Sequence, residues 1–71
     1  MNIELSLCHQ DKSTQMEDLN EMAEADGIES LLDMSRDDFM IRSAYDAIND
    51  LDGVIVYVGK ERIGAIWDVR E

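Results

Sequence analysis

One pair of neighbouring residues, Cys8 and His9, could act as a nucleophile and a base. A thiolate attacks an electrophile once a base has taken its proton, so a catalytic pair must lie within hydrogen-bond reach. Residues 2–8 alternate between apolar and polar types, which predicts a strand. Because successive side chains of a strand point to opposite faces, these two side chains should diverge. The sequence therefore predicts a packed thiol beside a surface imidazole, and no catalytic residues.

The many acidic residues raise the question of a metal site, because carboxylate oxygens are the usual ligands of Ca²⁺. An EF-hand loop needs glycine at its sixth position and carboxylates at its first and twelfth. If Gly53 is that glycine, Asp50 and Asp52 occupy ligand positions, but the first and twelfth positions fall on Ile48 and Gly59. One cysteine and one histidine also fall short of the usual zinc ligand sets. We expect no metal ion and no cofactor.

The charge of the chain is strongly one-sided. Its 17 acids and six bases give a net charge of −11 over 71 residues. Twelve of the acids lie between Ser13 and Gly53 with only two bases, Arg36 and Arg42, so this stretch alone carries −10. A surface of one sign repels nucleic acid and anionic membranes and attracts basic proteins. The sequence therefore predicts a basic protein partner and no direct binding to nucleic acid or membranes.

The length predicts one small domain, residues 1–71, and a hydrophobic fraction of 45% favours a folded chain over a disordered acidic tail. Cys8 has no second cysteine with which to form an internal disulfide, which is typical of a reducing compartment. The first residues lack the pattern of a signal peptide, and the longest apolar run, Val54–Val58, is too short to span a membrane. We expect a cytoplasmic protein, located in the host cytoplasm if a phage encodes it.

Apolar spacing predicts the elements that carry the charge. A capping-box pattern at Thr14 begins a helix, and Gly27 is expected to end it with a positive φ. Residues 28–34 fit either a short helical turn or a packed connector. A second start signal at Ser35 and continued helical spacing predict a second helix that ends at Gly53.

The last part of the chain predicts a β-hairpin. Val54–Val58 and Ile63–Val69 read as strands, joined by a tight turn in which Gly59 takes a positive φ. Together the elements predict an α+β fold of order β-α-α-β-β, with a three-stranded, mostly antiparallel sheet and two acidic helices packed on one face. Strict alternation along the hairpin leaves three apolar residues on the other face: Ile55, Tyr57 and Ile66. This face is a candidate interface for a partner or a homodimer, and partial cover by the N-terminal segment or by the loop at Met34 is the alternative.

The acids of the predicted helices are the candidate partner-binding residues. Residues 17–33 contain seven acids and no base, so no helical ion pair relieves their repulsion. Asp50 and Asp52 would crowd a helix C-terminus, where the helix dipole disfavours anions, whereas Asp37 and Asp38 suit a helix N-terminus. The candidate residues are Glu17, Asp18, Glu21, Glu24, Asp26, Glu29, Asp33, Asp50 and Asp52. A merely solvated acidic face is the alternative.

In size and charge, the chain resembles the small DNA-mimic inhibitors of phages and mobile elements, among them anti-CRISPR and anti-restriction proteins. Two segments are also similar to the phage uracil-DNA glycosylase inhibitor family. Glu29–Leu32 resembles its Glu-Ser-Ile-Leu segment, and Ser43–Asp46 resembles its Thr-Ala-Tyr-Asp segment, with Val54–Val56 similar to the strand that follows. The segments lie closer together here than in that family, and Ser43–Asp46 falls in helical phase where the family has a strand.

The second resemblance implies roles for three residues. Glu29 would contact the DNA-binding groove of the enzyme, and Leu31 and Leu32 would join an apolar lining that holds an enzyme loop. From charge and resemblance we expect a non-enzymatic inhibitor that occupies the nucleic-acid-binding surface of a basic host protein. Two alternatives are a small regulatory or assembly subunit, antitoxin-like or homodimeric, that uses the sheet face, and an inhibitor of uracil-DNA glycosylase.

Overall fold

The structure, a computed structural model, describes residues 2–8, 13–34 and 39–69. The elements in chain order are β1 (Asn2–Leu7), α1 (Ser13–Asp26), α2 (Ile28–Asp33), β2 (Met40–Asp46), β3 (Leu51–Val58) and β4 (Glu61–Val69). The strands form one antiparallel sheet in the order β1-β4-β3-β2, and the two helices pack against it. The predicted α+β class is confirmed, but the sheet has four strands rather than three, and the second helix lies at Ile28–Asp33 rather than in the predicted span from Ser35 to Gly53.

Residues 40–46 are the largest correction, because they form β2 and not the predicted second helix. This strand pairs with β3 in a continuous register from Met40 opposite Tyr57 to Asp46 opposite Leu51. Its apolar residues also fit helical spacing, so the local pattern could not distinguish the two structures. Pairing with the exposed edge of β3 decides the outcome, since strand formation depends on such long-range contacts. Residues 35–38, where that helix was predicted to begin, lie outside the described residues.

The helices follow the predictions more closely. α1 begins at Ser13 and buries three apolar residues: Met16, Leu19 and Ala23. Gly27 ends α1 with φ 89 and ψ 165, a conformation that is essentially restricted to glycine, and its N–H donates to the carbonyl of Ala23 at 2.8 Å. The predicted positive φ is confirmed, and residues 28–33 form the short helix that was one of two readings of that segment. None of the helices in the described part of the chain is long and apolar enough to cross a membrane.

A β-bulge interrupts the register of the β3–β4 hairpin. The hairpin itself and the positive φ of Gly59, 62°, are as predicted. Val56 pairs with Gly64, but the next residue, Tyr57, pairs with Arg62. Ile63 is therefore an additional residue on β4, which shifts every later residue of that strand to the opposite face relative to strict alternation.

The bulge changes which residues lie under the helices. Ile66 is opposite Val54 and fully buried in the core, so the predicted position of Ile66 on the exposed apolar face is wrong. Ala65 and Trp67 lie on that apolar face instead of Ile66. Ala65 pairs with Ile55 and Trp67 with Gly53, on the face that the helices leave uncovered. We call this uncovered face the open face, and the other the helix side.

The helix side packs closely at Gly64. A Cβ atom on this residue would lie 2.5 Å from the carbonyl oxygen of Ser6 and 2.6 Å from Cε of Met16. α1 therefore packs directly against β4 at this point, and only glycine, which has no side chain, leaves enough space for this contact. This close contact sets the distance between α1 and the sheet, and therefore the position of the acids on the outer surface of α1.

Candidate partner-binding surface

Every acidic side chain of the two helices is exposed. These residues are Glu17, Asp18, Glu21, Glu24, Asp26, Glu29 and Asp33. Because residues 13–34 contain no lysine or arginine, no base within either helix compensates them. Glu17, Glu21 and Glu24 lie four and three positions apart and so share one side of α1, with about 6 Å of helix axis between positions four apart. The helices therefore present a row of carboxylates of a single sign.

A groove of about 490 Å³ lies where the end of α1 and the start of α2 approach the sheet. Its apolar lining includes Ile28 and Leu32 from α2. Carboxylates from four elements also line it: Asp26, Glu29, Asp52 and Asp68. All of its lining residues belong to the described part of the chain, and none of them is a base. The groove therefore combines apolar side chains with carboxylates.

Two of the groove carboxylates belong to residues that are paired on adjacent strands. Asp52 on β3 is the register partner of Asp68 on β4, and both lie on the helix side. Like charges directly opposite each other in an antiparallel pair destabilise a sheet. Asp68 was not among the predicted binding residues, because the hairpin is neutral as a whole and its charges were not assigned to faces. Strict alternation along the hairpin would have placed Asp68 on the opposite face, and the bulge brings it to the same face as Asp52.

Asp50 and Asp52 do not lie at a helix end, so the argument from the helix dipole no longer applies to them. Asp50 belongs to the turn between β2 and β3 and has φ 54, a left-handed conformation that aspartate tolerates better than most residues. Its carboxylate accepts a hydrogen bond from the hydroxyl of Tyr45. The turn conformation and this hydrogen bond therefore explain why an aspartate stands at position 50, whereas Asp52 lines the groove.

Asp46 organises the same turn. Its Oδ1 accepts hydrogen bonds from the backbone N–H groups of Ile48 at 3.0 Å and Asn49 at 3.3 Å, and its Oδ2 accepts one from the Asn49 side chain at 2.8 Å. These bonds, the Asn49 side-chain bond first, lower the pKa of Asp46 below its usual value of 3.8. The turn holds Ile48 94% exposed at its tip. Asp46 is therefore a structural acid of the turn.

The two leucines implicated by the resemblance differ in environment. Leu31 is fully buried in the core, whereas Leu32 is 37% exposed and lines the groove together with Glu29. The implied apolar lining therefore fits Leu32 alone.

The open face differs in charge from the helix side. Ile55, Tyr57 and Trp67 are half-buried there, and a Cβ on Gly53 would collide with the Trp67 ring, which shows that the ring lies across β3. Arg42 and Arg62 pair with residues of this face, opposite Ile55 and Tyr57. Lys60, the other base within the described ranges, lies in the β3–β4 turn. The described bases are therefore segregated from the helical acids.

The structure describes only part of the catalytic and metal-binding candidates. Cys8 is exposed, so the predicted packed thiol is wrong, and its N–H donates to the carbonyl of Ile63 at 2.9 Å. His9 lies outside the described residues. Within the described ranges, no three histidine, cysteine, aspartate or glutamate side chains come close enough together to hold a metal ion.

No protein-family model, curated protein or solved structure shows significant similarity to the chain.

Proposed function

We propose that this protein is a non-enzymatic inhibitor of phage or mobile-element origin that mimics DNA and occupies the nucleic-acid-binding surface of a basic host protein. The observation that carries the proposal is the opposed pair of Asp52 and Asp68 at a groove also lined by Asp26 and Glu29. Two carboxylates on paired residues of adjacent strands concentrate negative charge at one point of the surface. A lysine or arginine of a partner would be attracted to both of them.

The row of acids on α1 supports the same proposal. Glu17, Glu21 and Glu24 place carboxylates at intervals comparable to those of the phosphates along one DNA strand. Proteins that bind DNA contact its phosphates with lysine and arginine, which act through charge and not through base identity. A helix that presents carboxylates at similar intervals would meet the same residues. The helical row and the groove would then form one continuous binding surface.

The experiment compares wild type with two sets of charge variants. A Glu17→Lys, Glu21→Lys, Glu24→Lys triple variant and an Asp52→Asn, Asp68→Asn double variant are used with wild type to capture proteins from a bacterial lysate at low and high salt. We expect both variants to lose the captured protein while their helical circular dichroism is retained. Wild-type capture should weaken steeply with salt and compete with duplex DNA, because the contact is electrostatic. Full retention by both variants would contradict the proposal.

A second candidate function is inhibition of uracil-DNA glycosylase. One observation favours it: Ser43–Asp46 lies in a strand, β2, as the similar segment does in that inhibitor family, although helical phase was expected here. Glu29 and Leu32 also line one groove, as an acidic contact beside an apolar site for an enzyme loop would require.

This candidate is tested directly by adding the protein to purified uracil-DNA glycosylase and measuring uracil excision. Leu32→Asp should abolish inhibition, because a carboxylate in place of this apolar lining residue would oppose entry of an apolar side chain. Leu7→Asp is the matched control, since Leu7 is a similarly exposed leucine, at 43%, and does not line the groove. Uninhibited excision with wild-type protein would rule out this candidate and leave the broader proposal intact.

A further inference from the structure

The groove between the helices and the sheet has more specific chemistry than the rest of the acidic surface. We propose that it receives an arginine side chain of the bound partner, which rests on the proposed function and names the residue type that this site recognises. Its volume of about 490 Å³ falls within the range of cavities that hold small ligands, about 300–1,000 Å³. The groove can therefore admit a long side chain.

The paired residues Asp52 and Asp68 favour arginine over lysine. Paired residues on neighbouring antiparallel strands have Cβ atoms about 5 Å apart, so their carboxylates belong to one small region of the groove. A guanidinium is planar and presents several N–H donors in a fixed fork, so it can donate to two neighbouring carboxylates at once. The lysine ammonium is a compact point charge without this geometry.

The end of α1 independently favours a cation in the same groove. α1 ends at Asp26, which lines the groove, and no base lies in the last turn of the helix. The carbonyl groups at a helix C-terminus carry a partial negative charge, which attracts cations and disfavours a carboxylate. Glu29 differs, because it lies in the first turn of α2, where a carboxylate stabilises the helix. Helix stability therefore does not explain Asp26, whereas a bound cation would compensate it.

The apolar lining fits the stem of an arginine side chain. Ile28 and Leu32 line the groove, and Leu32 is 37% exposed. The methylene groups of arginine pack against apolar surface while its charged end contacts polar groups. A metal ion would make no use of these residues, and no metal-binding group of side chains exists within the described ranges. An organic cation with an apolar stem therefore matches the lining better than a metal ion does.

Blocked tripeptides test this recognition on the purified protein, without a host partner. Acetyl-Gly-Arg-Gly-amide, its lysine analogue and its neutral citrulline analogue are titrated into isotope-labelled protein and followed by NMR. At about 0.15 M salt the Debye length is about 8 Å, so distant charges contribute little. We expect the arginine peptide to bind with a millimolar Kd and to shift the backbone amide resonances of Gly27, Ser43 and Gly53, which line the groove. The lysine peptide should bind roughly threefold to tenfold more weakly, and the citrulline peptide should not bind.

Variants then locate the bound peptide. Asp26→Asn and Asp68→Asn each remove one groove carboxylate and should weaken arginine binding roughly threefold to tenfold, and Leu32→Ala should weaken it roughly threefold. Asp33→Asn is the matched control, because it makes the same change in charge at an exposed aspartate of α2 that does not line the groove. It should change the Kd by less than about twofold. All four side chains are at least partly exposed, so folding should be retained, with circular dichroism as the check.

Three results would overturn the inference. One is equal affinity for the arginine and lysine peptides, and another is the absence of saturable shifts at the groove residues. The third is an equal loss of affinity in Asp33→Asn and Asp68→Asn, which would mean that the peptide responds only to the net charge of the chain. In each case the capture of a host protein could still succeed through the row of acids on α1. Failure of the arginine site and failure of the inhibitor proposal are therefore distinguishable.

Discussion

Replacing Glu21 by lysine should stabilise the protein. Glu21 lies on the exposed side of α1, four residues from Glu17 and three from both Asp18 and Glu24. Residues at these spacings are neighbours on a helix, and each like-charge pair costs about 0.2–0.5 kcal/mol whereas each opposite pair gains a similar amount. Lysine would convert three repulsive pairs into three attractive ones, a change of roughly 1–3 kcal/mol. Because all four side chains are exposed, solvent screening reduces this to about 1 kcal/mol.

The assay is thermal and urea unfolding followed by circular dichroism at low salt. A gain of about 1 kcal/mol corresponds to a rise of roughly 4–8 °C in Tm for a domain of this size. Glu21→Gln is the matched control, because it removes the repulsion without adding attraction and should give about half the effect. Glutamate, glutamine and lysine have similar helix propensities, so the difference isolates charge. In about 1 M salt, where the Debye length falls to about 3 Å, the gain should largely disappear.

Two outcomes would refute this reasoning. A destabilised Glu21→Lys variant at low salt would mean that Glu21 makes a favourable contact in the native state. A gain that persists unchanged at high salt would mean that charge is not its cause. If the prediction holds, the same substitution should weaken partner binding while it strengthens the fold. Such a trade-off is expected where acids serve a binding surface and not stability.

Three further predictions concern the fold that positions the surface. Leu31→Ala should cost about 2–5 kcal/mol in urea unfolding, whereas Leu32→Ala, its exposed neighbour, should cost less than about 1 kcal/mol; equal effects would contradict the assignment of Leu32 to the groove. Gly64→Ala should destabilise by about 1–3 kcal/mol, since its Cβ would press on the β1 backbone, and unchanged stability would mean that α1 does not rest on β4 there. Asp46 has a lowered folded-state pKa, so its stabilising contribution is present above pH 3.8 and is lost as pH falls through that lower value. The difference in unfolding free energy between wild type and Asp46→Ala should therefore be constant near neutral pH and shrink below pH 3.8; a difference that grows there would contradict the turn assignment.

Local signals were sufficient for most of the fold. The C-terminus of α1 and the position of the β3–β4 turn could be predicted, because Gly27 and Gly59 adopt positive φ values that few other residues adopt. β2 could not, because its apolar residues satisfy both a helical and an extended spacing and only pairing with β3 chooses between them. The bulge at Ile63 was also beyond a local reading, since it exists only as a mismatch between two strands.

The candidate surface was predicted in part for the same reason. Net charge along the chain identified Asp26, Glu29 and Asp52, which the groove brings together from three elements. The same count missed Asp68. Arg62 and Lys60 offset its charge when the charges of the hairpin are summed along the sequence, but they lie on other parts of the surface. Charge counted along the chain is a poor guide where a strand sends neighbouring residues to opposite faces.

The bulge has a consequence for the changes that β4 can tolerate over generations. Ile63 is the additional residue, so its loss would restore strict alternation and leave Ile66 and Trp67 on the faces that they occupy now. Gain of one residue between Gly64 and Ile66 would instead turn Ile66 to the open face and place the Trp67 ring beneath α1. Related chains should therefore lack the residue of the bulge more readily than they carry an additional residue beyond it.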